Sequence, residues 1–121
     1  MGIKKPSSWA EVEAAIRQML VERDPDINNR TVELALCFIG LASKSLTAPS
    51  DVGRGYAPTI SFSWQNPPIE FEVHESEIEF YRFFDHQTEI STYPINPENL
   101  MPDDLVLKIN ALRDELSNAG F

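Results

Sequence analysis

One cysteine and two histidines stand in a chain of 121 residues. Cys37 alone excludes an internal disulfide framework and suits a reducing cytoplasm. With His74 and His86 it is too little to build an ordinary His/Cys zinc site, so no metal and no cofactor is expected. Glycine is also scarce, five residues in all. Gly53-Arg54-Gly55 is the nearest approach to a phosphate-binding loop, and flexibility explains it better. No apolar run approaches the roughly 18–20 residues of a membrane span, and the opening Met-Gly-Ile-Lys-Lys-Pro lacks a signal-peptide core. Pro6 breaks the myristoylation pattern. Cations are few: ten Lys and Arg stand against nineteen Asp and Glu, for a net charge of −9.

The acid is not spread evenly. Residues 1–68 and residues 105–121 each balance to zero. Residues 69–104 hold Glu70, Glu72, Glu75, Glu77, Glu79, Asp85, Glu89, Glu98, Asp103 and Asp104 against Arg82 alone, and so carry the whole imbalance. An acidic field repels nucleic acid and anionic lipid and attracts basic protein surfaces. Direct nucleic-acid binding is therefore not expected.

The length fits a single domain, residues 1–121, with composition ordinary for a globular chain. Ser8-Trp9-Ala10-Glu11 fits a capping box, and Trp9, Val12, Ile16, Met19 and Leu20 then recur at helical spacing until Asp24-Pro25. A second helix is predicted from Asn28 or Asn29 to about Ser45, apolar around most of its circumference and hence central in the core. Residues 46–58 read as a loop rich in turn formers.

Strict alternation follows, with Ile60, Phe62, Trp64, then Ile69, Phe71, Val73, then Ile78, Phe80 all at period two. Turns at Asn66-Pro67 and Glu75-Ser76 set Trp64 opposite Ile69, Phe62 opposite Phe71, Val73 opposite Ile78 and Phe71 opposite Phe80. Both registers gather the large apolar residues on one face. A fourth strand, Thr88 to Tyr93, follows a loop at Asp85-His86-Gln87. Pro102-Asp103-Asp104 opens a third helix with the stripe Leu105, Ile109, Leu112 and Leu116, and Gly120 as its stop. The fold class is α+β: an antiparallel meander of three to four strands with two N-terminal helices and one C-terminal helix on its apolar face.

The same register turns Ser61, Ser63, Glu70, Glu72, His74, Glu77, Glu79 and Tyr81 to the other face. Glu72 then falls directly opposite Glu79, a like-charge pair that costs up to about 1 kcal/mol. One reading is a solvated outer face kept charged for solubility. The sharper reading is a docking surface for arginines and lysines, composed of Glu70, Glu72, Glu75, Glu77, Glu79 and Tyr81. Catalysis is the weakest class. His74 is expected to form a surface ion pair with Glu77, His86 to lie solvated in a turn, and Cys37 to be a buried small hydrophobe. The glutamates are expected on an open face, where no burial excludes water or shifts a pKa.

Ala35 to Leu41, Pro58-Thr59-Ile60-Ser61-Phe62-Ser63-Trp64, Ile69-Glu70-Phe71-Glu72-Val73 and Ile78-Glu79-Phe80-Tyr81 form a recognisable succession: an apolar helix, a proline-containing loop and three strands. Over roughly residues 32–82 it resembles a broad group of uncharacterised small bacterial α+β proteins. The resemblance implies the fold and a prokaryotic origin, and no activity. The expected function is a non-catalytic, cytoplasmic, acidic binding protein that blocks a basic, nucleic-acid-handling protein. By size and charge it resembles the anti-CRISPR and anti-restriction inhibitors of phages and mobile elements. The alternatives are an antitoxin or immunity protein masking a basic toxin, and an acidic adaptor or secretion chaperone.

Overall fold

The computed structural model describes residues 8–22, 27–54, 58–65, 67–96, 98 and 101–118, except the side chains of 20–22 and 116–118. The expected roles of Asp24-Pro25, Gly55, Asn66 and Gly120, and of the Leu20 and Leu116 side chains, lie outside the described residues. The elements run α1 (Trp9–Glu22), α2 (Asn29–Ala42), β1 (Asp51–Arg54), β2 (Ile60–Gln65), β3 (Pro68–Val73), β4 (Glu77–Phe83), β5 (Thr88–Pro94) and α3 (Asp103–Asn118). The strands form one antiparallel sheet in sequence order.

The helix starts follow local chemistry. The Ser8 hydroxyl accepts from the Glu11 amide at 3.2 Å, satisfying one of the donors that a helix leaves open at its N-terminus. Asn28 does the same for the Thr31 amide at 2.9 Å, and so caps α2. At α3, the Pro102 carbonyl accepts from the Leu105 and Val106 amides, and Asp103 and Asp104 occupy the positive end of the helix dipole.

The sheet agrees with the alternation pattern. Trp64 pairs with Ile69, Phe62 with Phe71 and Ile60 with Val73; Phe71 pairs with Phe80 and Val73 with Ile78. All these side chains are buried, and the helices lie over them. Phe38 of α2 sits with its ring 4.9 Å from both Phe62 and Phe71. Val12 and Ile16 of α1, and Leu105, Ile109 and Leu112 of α3, are buried in the same cluster. The ring of Trp9 lies 6.2 Å from that of Trp64. Their indole N–H groups donate to the Leu46 and Thr47 carbonyls, pinning the segment that leaves α2.

The sheet has five strands rather than three or four. Residues 51–54, expected within a loop, form the edge strand β1. Val52 pairs with Phe62 and is buried, and Gly53 pairs with Ser61. A four-residue strand holds too few positions for alternation to register, and its neighbour's unpaired edge supplies the order. Gly53 and Arg54 are thus strand residues, not a flexible loop. Among the described residues no helix is long and apolar enough to cross a membrane.

Candidate functional site

Among the described residues the helices cover one face of the sheet, and no second layer of helix or strand covers the other. Strands β2–β5 carry one basic residue, Arg82. It pairs across the ladder with Ile69 and Glu89 on the helix side and bonds the Glu115 carboxylate of α3. Lys108 of α3 binds Glu89 at 3.1 Å with its ammonium 4.4 Å from the centre of the Phe80 ring. Both cations are therefore held on the inner side, Arg82 by Glu115 and Lys108 by Glu89. The outer side of these four strands is left to Glu70, Glu72, Glu77 and Glu79.

Glu72 and Glu79 face one another across β3 and β4, as the register demands. The expectation of an open face fails at Glu72, which is 4% exposed. Central strands bury a side chain between neighbours even without a covering layer. Here Ser61 stands opposite on β2 and Glu79 on β4. The buried Thr59 hydroxyl donates to Glu72 Oε1 at 2.5 Å, so this carboxylate is held from within. The Glu70 carboxylate is half-buried and accepts from the Ser63 hydroxyl at 3.2 Å.

The histidine expectation also needs correction. The His74 amide donates to the Glu77 carbonyl at 2.8 Å, closing the hairpin. Its imidazole reaches further, placing Nε2 2.5 Å from Glu79 Oε1. Both side chains are mostly buried. The two-residue turn aligns His74 with Glu77 only at the backbone; a long ring extending over the face meets the next outward residue on β4.

Tyr81 completes the cluster. Its phenol is pushed up to about 12, first by burial, then by its hydrogen bond with Glu79 and by the charges of Glu79, Glu72 and Glu70. Its ring stacks on Phe83, with centroids 6.3 Å apart and planes within 6°. Ile90 pairs with Tyr81 on β5 and is 58% exposed. Sequence reasoning named the acids and Tyr81 but missed Phe83 and Ile90. The signal was there, since both share the outward parity of Tyr81. Glu75 lies apart in the β3–β4 turn, exposed and bonded to the Asn28 side-chain amide. Glu77 is half-buried beside it.

Two shallow polar concavities flank the cluster. One, of about 220 Å³, is lined by Asp51, Val52, Gly53 and Arg54 of β1 with Ser61, Ser63 and Glu70. The other, of about 270 Å³, lies between Asn28 and Thr31 at the start of α2 and Thr59, His74 and Glu77. Elsewhere, His86 is exposed in the β4–β5 turn as expected, whereas Cys37 is half-buried rather than buried. Comparison of the chain with family models, with curated proteins and with solved structures finds no match.

Proposed function

We propose that this is a non-catalytic, cytoplasmic, acidic binding protein whose outer sheet face occupies the basic surface of a nucleic-acid-handling protein, as an anti-defence inhibitor would. One observation carries the reading: Arg82 and Lys108 are bound on the helix side, while the outer side of β3–β5 combines carboxylates with Tyr81, Phe83 and Ile90. Aromatic anchors supply contact energy in protein interfaces, and surrounding charge sets the partner's sign and speeds encounter. Glu70, Glu77 and Glu79 would meet arginines and lysines at the face, and exposed Glu75 would extend it at the hairpin turn. Glu72 is too buried to touch a partner directly and acts through the field it adds. An antitoxin masking a basic toxin would use the same face.

The test is affinity for an arginine-rich helical peptide, with charge reversed in two places. Glu70→Lys with Glu77→Lys alters the face; Glu33→Lys with Asp114→Lys makes the same change in net charge on exposed helix positions. The face reversal should abolish binding and the helix reversal should leave most of it. Binding should also weaken steeply towards physiological salt, where charges are screened over about 8 Å. Equal loss from both reversals would reduce the effect to net charge and end the proposal.

A further inference from the structure

Glu72, His74 and Glu79 each offer one ligand-type atom, and these three atoms lie within 4.8 Å of one another. The backbone sets this arrangement. Glu72 and Glu79 are a direct cross-strand pair, and His74 follows Glu72 by two residues, on the same side of the chain. Bonds of about 2.0–2.2 Å to one metal ion place donor atoms about 3–4.3 Å apart, so small rotations would bring all three onto a single cation.

Two carboxylates facing each other in a largely buried setting repel, and a cation bound between them would relieve that repulsion.

A second observation comes from the imidazole. His74 Nε2 is itself buried and 2.5 Å from Glu79 Oε1, yet it makes no hydrogen bond of acceptable geometry. The close approach is thus a convergence of two donor atoms rather than an aligned N–H···O bond. Both carboxylates have further support of the kind that orients metal ligands. Thr59 donates to Glu72, and Tyr81 is hydrogen-bonded with Glu79.

We propose that Glu72, His74 and Glu79 form a binding site for one divalent first-row transition cation, of the Zn²⁺ or Mn²⁺ class. The imidazole favours these over Ca²⁺ and Mg²⁺, which prefer all-oxygen sites. Three protein ligands leave a coordination position for water or an incoming group. The scarcity of histidine and cysteine excluded a His/Cys centre, and a site made mainly of carboxylates escapes that count. The inference does not rest on the docking proposal, although the two share Glu72 and Glu79.

The experiment titrates chelator-treated full-length protein with Zn²⁺ by calorimetry and with Co²⁺ by visible absorption. One saturable site per chain is expected. His74→Gln or Glu79→Gln should weaken it by at least about tenfold, while His86→Gln should not. In the wild type, nitrogen NMR should show Zn²⁺ shifting the His74 ring and leaving His86 in place, a readout that survives if a variant fails to fold. Absence of saturable binding at millimolar metal, an unmoved His74 ring, or equal affinity in folded His74→Gln and Glu79→Gln proteins would each overturn the proposal.

Discussion

Phe71 joins the middle strand of the sheet to the helix above it. It is fully buried at the centre of β3. Its ring lies 4.9 Å from Phe38 of α2, 5.1 Å from Phe80 of β4 and 6.1 Å from Trp64 of β2, so four elements meet through it. Truncating a buried phenylalanine to alanine costs about 3–5 kcal/mol, more where the surroundings cannot collapse into the void. Phe71→Ala leaves rings anchored on two flanking strands and one helix, each held by its own backbone ladder. We expect a loss near the top of that range, about 4–5 kcal/mol, against a total of about 5–15 kcal/mol for a domain. With a urea dependence of about 1.5 kcal/mol per molar, the unfolding midpoint should fall by about 3 M. Phe71→Leu provides a milder step of about 1–2 kcal/mol should the alanine variant not fold. Phe83→Ala, at a ring 44% exposed on the other face, should cost less than about 1 kcal/mol. A folded Phe71→Ala protein losing under about 2 kcal/mol, or no more than Phe83→Ala, would refute the account of the core.

The phenols give a prediction at alkaline pH. Because the fold raises Tyr81 from 10.0 to about 12, the neutral phenol is the form it favours. The stability this contributes is fully present below about pH 10 and is lost as pH rises towards 12. Tyrosinate absorption should show a late-titrating group that Tyr81→Phe removes, and the Tyr81→Phe protein should lose less stability than wild type across that window. Tyr93 should also titrate late, because burial raises it while its hydrogen bond with Ser91 opposes the rise. A Tyr81 that ionises with the unfolded chain would place its ring in water.

Legibility in the sequence followed the strength of the local pattern. In β2–β4, large apolar residues alternate with polar ones across two short turns. A slip of one residue would put every one of those apolar side chains in water. The observed pairs therefore match the expected ones. The α2 start was legible for a similar reason, since Asn28 can satisfy a helix amide only from the cap position. β1 was not legible, because Val52 is its only large apolar residue and its order comes from pairing with β2. The parity of the outer face was also correct, but parity is not exposure. Glu72 points away from the helices and is still buried, by Thr59 and by its neighbours on the two flanking strands. The His74 partner was misplaced because backbone register locates a Cα, whereas the ring extends to the next outward residue.

That distinction has a measurable consequence. On an open face, exchanging Glu72 for lysine would be harmless, since one charged side chain in water would replace another. The structure gives a different expectation. At 4% exposure a lysine has little room to lead its ammonium to solvent. It also offers no acceptor for the Thr59 hydroxyl, which now donates to the carboxylate at 2.5 Å. A hydrogen bond to a charged partner contributes about 1.5–3 kcal/mol. Attraction of the new ammonium to Glu70 and Glu79 offsets part of this, but only if it can reach them without breaking the packing of Ser61 and Thr59. Glu72→Lys should therefore lose at least about 2 kcal/mol in urea unfolding, whereas Glu77→Lys, nearer the hairpin turn, should stay within about 0.5 kcal/mol. If the two substitutions proved equally mild, Glu72 would be an ordinary surface residue. The outer face would then be the open, solvated sheet that alternation alone describes, and Glu72 would be free to swing away from His74 and Glu79.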